Sequence, residues 1–135
     1  MAALTKDRNT RRREAVEFND PVGAGVTIFA GAIIALNATG YAVPGSTALN
    51  LTARGIASEQ VNNAGGGDGD ISVMSMSGGR AFHVGNDGSI DRTDIGGLAY
   101  IVDDQTVAAT DGGGTRSVAG TIVDVDASGV WVRFD

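Results

Sequence analysis

Near the end of the chain, apolar and polar residues alternate in two neighbouring segments, 122–126 and 130–134. A short stretch of small, turn-forming residues, 127–129, separates the two segments. A period of two places successive side chains on opposite faces of a strand, so the pattern predicts a β-hairpin with one apolar face. The positions assigned to that face are Val123, Val125, Val130, Val132 and Phe134.

Short apolar segments separated by turn residues also fill the rest of the chain. The candidate strands are 26–30, 33–36, 41–43, 51–57, 71–76, 81–84, 98–102 and 106–109. We expect 71–76 and 81–84 to form one hairpin, and 98–102 and 106–109 to form another. Glycine, with 21 of 135 residues, disfavours long helices, because each interior glycine costs about 1 kcal/mol relative to alanine. The sequence therefore predicts a mainly β fold, a small β-barrel or sandwich of short antiparallel strands.

The beginning of the chain differs in composition from the remainder. Pro21 marks the boundary, because a residue that precedes proline avoids the helical region. We therefore divide the chain into an extended N-terminal arm, 1–20, and a single β-rich body, 21–135. The segment 5–17 is compatible with a helix capped by Thr5 or with an extended conformation. The arm contains half of the ten basic residues of the chain, namely Lys6, Arg8, Arg11, Arg12 and Arg13.

Composition removes several classes of function. The chain has no cysteine and a single histidine, His83, which excludes thiolate chemistry and leaves only one candidate base for a Ser-His-Asp triad. No nucleophile partner for His83 is identifiable, so we predict no enzymatic activity, no catalytic residues and no cofactor. The net charge of −6 repels phosphate backbones, so we expect no nucleic-acid partner. The apolar run 22–36 is interrupted by glycines and is too short to span a membrane.

Two aspartate- and glycine-rich segments, 68–70 and 86–91, supply the oxygen atoms that calcium prefers. The calcium-loop template nevertheless fails, because aligning Gly88 with its glycine places His83 and Gly85 at ligand positions. Aspartate and glycine are also common in turns for reasons of backbone conformation. We therefore predict no metal site in either loop.

One family resemblance covers nearly the whole chain. The segment 26–44, VTIFAGAIIALNATGYAVP, resembles the small capsid cement, or head decoration, proteins of tailed bacteriophages. The segments 94–107 (DIGGLAYIVDDQTV) and 120–132 (GTIVDVDASGVWV) are similar to that family too, as is the opening MAALTKDRNT.

The resemblance implies a structural virion protein with a β-barrel-like body. Such a protein is assembled in the host cytoplasm and lies on the outer surface of the capsid, where it reinforces contacts between subunits of the major capsid protein. The family implies a homotrimer at three-fold positions and no cofactor or reaction. Contacts with neighbouring decoration proteins are our own expectation for the arm.

We assign partner binding to the five cations of the arm, Lys6, Arg8, Arg11, Arg12 and Arg13, which would pair with carboxylates of the capsid or of neighbouring copies. Three arms on one trimer would bind with avidity, so that weak contacts add to tight attachment. An alternative function is a ligand- or carbohydrate-binding β module on the virion surface, with Trp131 and nearby aspartates forming a sugar site.

Overall fold

Short strands account for almost all the regular structure of residues 2–134, the part of the chain that the computed structural model describes. The strands are β1 (Glu17–Pro21), β2 (Thr27–Ile28), β3 (Ile33–Leu36), β4 (Ala42–Pro44), β5 (Thr52–Ala57), β6 (Val61–Asn62), β7 (Ser72–Met76), β8 (Ala81–Asn86), β9 (Leu98–Ile101), β10 (Thr106–Ala108), β11 (Val118–Asp126) and β12 (Gly129–Arg133). A single turn of 3-10 helix, Arg92–Asp94, precedes β9. No helix in the described part of the chain is long and apolar enough to cross a membrane.

The strands form an antiparallel sheet, a closed barrel and a short ribbon. The sheet has five strands in the order β1-β7-β5-β3-β4, the barrel closes in the order β10-β8-β12-β11-β9, and β2 pairs with β6. The pairs within the sheet are antiparallel, and only the β8–β10 seam of the barrel is parallel. The predicted mainly β fold with a small barrel is therefore confirmed.

The five-stranded sheet buries apolar side chains on both of its faces, because neighbouring residues of a strand point in opposite directions. Ile33 and Ile56 belong to one cluster together with the barrel interior, which includes Ile101 and Val132. Their neighbours along the two strands belong to a second cluster, which is closed by the β2–β6 side of the molecule. The buried members of that second cluster are Val22, Ile28, Ala32, Ile34, Ala42, Ala57 and Val73.

Two of the predicted hairpins are correct and the third is wrong. Strands β11 and β12 pair across the turn at 127–129, and β9 pairs with β10. Strands β7 and β8, in contrast, do not pair: β1 and β5 occupy the two edges of β7, while β8 pairs with β12 and β10. The chain instead passes from the sheet to the barrel at Gly78 and Gly79, between these two strands.

The apolar face of the last hairpin also differs from the prediction in β11. The register shifts between Ile122 and Asp124, which makes Val123 the extra residue of a β-bulge. As a result Ile122 is buried, whereas Val123 is 41% exposed. In β12 the alternation is regular, and Val130, Val132 and Phe134 are buried as predicted.

Candidate functional site

The arm leads out of the body as an exposed segment. Residues 2–15 are all exposed and none of them lies in a helix, so the helix considered for 5–17 does not form; the segment is irregular up to β1. Within residues 2–134 no ion pair involves the five arm cations. Their charges therefore face solvent and remain available to an anionic partner. The five cations are Lys6, Arg8, Arg11, Arg12 and Arg13.

The last part of the arm is fixed to the body. Residues 17–20, which belong to the arm as delimited from the sequence, lie in β1 and pair with β7 from Glu17–Met76 to Asp20–Val73. Just before β1, the carbonyl oxygen of Val16 accepts a hydrogen bond from the Ser77 amide at 2.8 Å.

Gly78 allows this close approach of the arm to the body. Its φ of 66° lies in the left-handed region, and a Cβ there would collide with the carbonyl oxygen of Ala15 and lie 2.9 Å from Val16 Cα. Glycine alone avoids both the strain and the collision. The exposed arm therefore begins at a defined point, next to residues 77 and 78.

A charged pair on the sheet reinforces this attachment. Arg54 of β5 donates two hydrogen bonds to the Asp20 carboxylate, from Nε at 2.8 Å and from Nη2 at 3.2 Å. The same guanidinium lies 3.6 Å above the centre of the Phe18 ring. Because Arg54 is in β5 and its two partners are in β1, the contact ties the root of the arm to the body across the intervening strand β7. We call Phe18, Asp20 and Arg54 the arm clamp.

Sequence reasoning missed the arm clamp. Phe18 and Asp20 occur within a polar leader, and Arg54 is 34 residues away from Asp20 in the chain. The two-residue spacing of Phe18 and Asp20 is compatible with a half-buried strand. That spacing is the one signal that could have indicated that the arm ends in a strand.

His83, Asp126 and Ser128 lie close together at one end of the barrel, but their geometry is not that of a catalytic triad. A triad needs the serine hydroxyl on one imidazole nitrogen and the carboxylate on the other. Here the Asp126 carboxylate and the Ser128 hydroxyl both lie near Nε2 of His83, at 3.2 and 3.4 Å. The Ser128 hydroxyl donates its hydrogen bond to Asp126 at 2.8 Å. The imidazole of His83 is therefore not placed to act as the base for this serine.

Asp126 closes the β11–β12 turn. It accepts hydrogen bonds from the hydroxyl and amide of Ser128, from the Gly129 amide, from His83 and from Trp131 Nε1 at 3.0 Å. These donors, the Ser128 hydroxyl first, hold the pKa of Asp126 well below its usual range. The Asp126 carboxylate thus fixes both the turn and the indole of Trp131.

This arrangement also bears on the alternative function of sugar binding. Trp131 is 38% exposed, and the His83 ring packs against it edge-on with the ring centres 5.1 Å apart. The Oδ1 atom of Asp126 accepts from His83, Ser128 and Gly129, whereas its Oδ2 atom accepts only from the indole Nε1. Trp131 therefore offers an exposed aromatic surface beside a carboxylate that retains acceptor capacity on Oδ2.

The two loops considered for calcium direct their carboxylates toward the backbone. Asp68 accepts a hydrogen bond from the Ala24 amide at 2.7 Å, and Asp70 accepts one from the Gly67 amide at 2.8 Å. Asp87 likewise binds the amide and hydroxyl of Ser89. Between residues 2 and 134 no three histidine, cysteine, aspartate or glutamate side chains converge in a metal-binding arrangement.

Comparison with known proteins does not identify the chain. It matches no family model, no curated protein and no solved structure.

Proposed function

We propose that the chain is a structural virion protein that attaches to the outer surface of a bacteriophage capsid and reinforces contacts between major capsid protein subunits, as a homotrimer at three-fold positions. The observation that carries the proposal is the arm. Residues 2–15 are exposed, and their five cations have no ion-pair partner within residues 2–134. The resemblance of 26–44, 94–107 and 120–132 to decoration proteins supports the same assignment.

The physical role of the arm follows from its attachment. Thirteen residues, 2–14, span up to about 43 Å when fully extended, which is long enough to cross onto an adjacent subunit. The body end of the arm is fixed by β1 and the arm clamp, so partner contacts made by the arm are transmitted to the five-stranded sheet. Each exposed ion pair contributes only about 0–1 kcal/mol. Tight attachment therefore requires several arms per assembly.

The proposal is tested by binding of the purified chain to heads of the phage that encodes it, prepared without this protein. A variant lacking residues 2–13 removes all five cations but keeps Val16, Gly78 and the whole of β1. We expect this variant to retain the circular dichroism and thermal transition of the full chain and to lose at least tenfold in affinity in a co-sedimentation assay.

Two substitution variants separate charge from chain length. Replacing all five arm cations with glutamine should weaken binding nearly as much as the deletion does. Replacing the four arginines with lysine keeps the charge and should restore most of the binding. Arg80→Gln, which removes an exposed cation of the body, is the matched control and should bind normally. Undiminished binding of the truncated chain would contradict the proposal that the arm is the tether.

A further inference from the structure

One outer face of the barrel leaves three large apolar side chains in solvent. Ile95, Val123 and Trp131 are 37%, 41% and 38% exposed. Reciprocal hydrogen bonds between residues 96–97 and Ile122, at 2.8 and 2.9 Å, place the segment that begins at Ile95 along β11, beside the Val123 bulge. Trp131 is in β12, the strand on the other side of β11. The three side chains thus belong to neighbouring segments of one surface.

Aspartates surround this apolar patch. Asp124 is the direct cross-strand partner of Trp131, and Asp126 binds the indole nitrogen. Asp91 and Asp94 cap the 3-10 helix that precedes Ile95. Arg92, which bonds Asp124 at 3.2 Å, offsets one of these four negative charges. We call this surface the barrel face; it consists of Ile95, Val123, Trp131, Asp91, Asp94, Asp124 and Asp126.

The arm has the complementary chemistry. It contains five cations without an ion-pair partner in the described residues, and Leu4, which is 71% exposed. Four of the cations are arginines, whose planar guanidinium groups stack on indole rings and bind carboxylates through two parallel hydrogen bonds. An exposed tryptophan among carboxylates is therefore a surface that an arginine-rich extended peptide recognises.

Both surfaces remain open on a single chain. Residues 2–15 point into solvent, and the apolar side chains of the barrel face stay partly exposed. Two complementary surfaces at different places on one molecule generate head-to-tail contacts between copies, which close into a ring when the rotation allows it. We propose that the barrel face binds the arm of a second copy of this chain.

This contact goes beyond capsid attachment and competes with it for the same arm cations, so it is tested without capsids, with the purified full-length protein. Trp131 is the one tryptophan of the chain, so its fluorescence reports directly on the barrel face. We define an arm-neutral variant, in which the five arm cations are replaced with glutamine, and a face variant, Trp131→Leu, which has no tryptophan signal.

The decisive experiment mixes the two variants at 50 mM NaCl. The arm-neutral chain supplies the fluorescent barrel face and the face variant supplies the intact arm, so arm exchange should change the Trp131 emission in a saturable way. The change should weaken at least tenfold in affinity at 500 mM NaCl, because exposed ion pairs are screened. When a chain that carries both sets of substitutions replaces the face variant as the arm donor, the Trp131 emission of the arm-neutral chain should not change. If Trp131→Leu does not fold, a synthetic peptide of residues 2–15 replaces it as the arm donor.

Two further substitutions test the face. Asp124→Asn, introduced into the arm-neutral chain, should weaken the binding by about two- to fivefold, the range of one exposed ion pair. Asp68→Asn removes an equal charge in the loop that contacts Ala24 and should leave the binding unchanged. Absence of any emission change, or equal effects of the two substitutions, would overturn the proposal. A third outcome would also overturn it. If the Trp131 emission of the unsubstituted chain differs from that of the arm-neutral chain but does not depend on protein concentration, the arm binds the barrel face of its own chain.

Discussion

The arm clamp makes a quantitative prediction about how the arm is held. Arg54→Gln removes the two hydrogen bonds to Asp20 and the contact with the Phe18 ring. It also leaves the Asp20 carboxylate without its cation at a site where that side chain is only 13% exposed. The variant should therefore be destabilised, chiefly where β1 joins the sheet.

The magnitude follows from burial. Breaking a fully buried pair by removing one partner costs about 3–5 kcal/mol, and the 29% exposure of the Arg54 side chain lowers this to roughly 2–3 kcal/mol. The lost cation–π contact adds about 0.5–1 kcal/mol. We expect a total of roughly 2.5–4 kcal/mol in a urea titration, with faster amide exchange in β1 and β7 than in the barrel strands.

The chain contains a matched control for this substitution. Arg92 pairs with Asp124 through one bond of 3.2 Å, and the two side chains are 74% and 58% exposed. Arg92→Gln should consequently cost less than about 0.5 kcal/mol. A double-mutant cycle of Arg54→Gln with Asp20→Asn isolates the pair energy, for which we expect about 1.5–3 kcal/mol. Equal losses for Arg54→Gln and Arg92→Gln would refute the reasoning, because burial would then have no influence.

Three further substitutions probe the root of the arm, the hairpin turn and the glycine-rich loop. Gly78→Ala should destabilise the protein by about 2–4 kcal/mol in thermal unfolding, because it adds a collision with Ala15 to backbone strain. The control Gly79→Ala, at a position with φ of 73° and open space around the added Cβ, should cost only about 1 kcal/mol. Equal costs for the two substitutions would contradict the predicted effect of the collision. Asp126 has a lowered pKa, so its stabilising contribution is fully present above the ordinary aspartate pKa of about 4 and declines as pH falls from there through the lowered folded-state pKa. Asp126→Asn should therefore lower Tm more at pH 7 than at pH 2.5, and a pH-independent difference would contradict this. Asn63 is 3% exposed, and its amide nitrogen donates to the carbonyl oxygens of Gly23 and Gly67 at 2.7 and 3.0 Å. Asn63→Ala should therefore cost roughly 2–4 kcal/mol by urea titration, and a loss under about 1 kcal/mol would show that water replaces the amide.

The sequence predicts pairings that are local and fails for those that are distant. The β11–β12 hairpin can be predicted from the sequence because both strands and their turn lie within 118–133. Strand β7 instead pairs with β1, more than fifty residues earlier, and no short-range pattern records that partner. A local pattern therefore predicts that β7 pairs with the next apolar segment along the chain, 81–84.

The bulge at Val123 has a similar origin. In the sequence, Ile122 and Val123 are equally suited to the buried face, and period-two counting has to choose one of them. The bulge lets Ile122 enter the core and still leaves Val125 paired with Val130. Because a bulge is set by the register of the neighbouring strands, alternation within one segment cannot predict it. The exposure of Val123, which the barrel face depends on, was therefore not predictable from the pattern.

In the candidate site, too, features set by nearby residues can be predicted from the sequence, and features that combine distant residues cannot. The cations of the arm are visible in the sequence as a cluster within 6–13, and their exposure follows from their charge. The clamp that holds the arm combines residues 18, 20 and 54, and only the folded sheet brings these together. Charge clusters can thus be predicted from sequence, whereas the rigidity of their attachment cannot.

Rigidity at the root of the arm has a calculable effect on multivalent binding. If loss of the arm clamp released β1, the free segment would lengthen from thirteen residues, 2–14, to twenty, 2–21. Effective concentration falls roughly as the −3/2 power of linker length, so it would drop to about half for each arm. In the proposed trimer, once a first arm is bound, the two remaining arms would together lose about fourfold in avidity. A larger loss of head binding in Arg54→Gln would mean that the arm acts as a rigid extension of the sheet and not only as a tether.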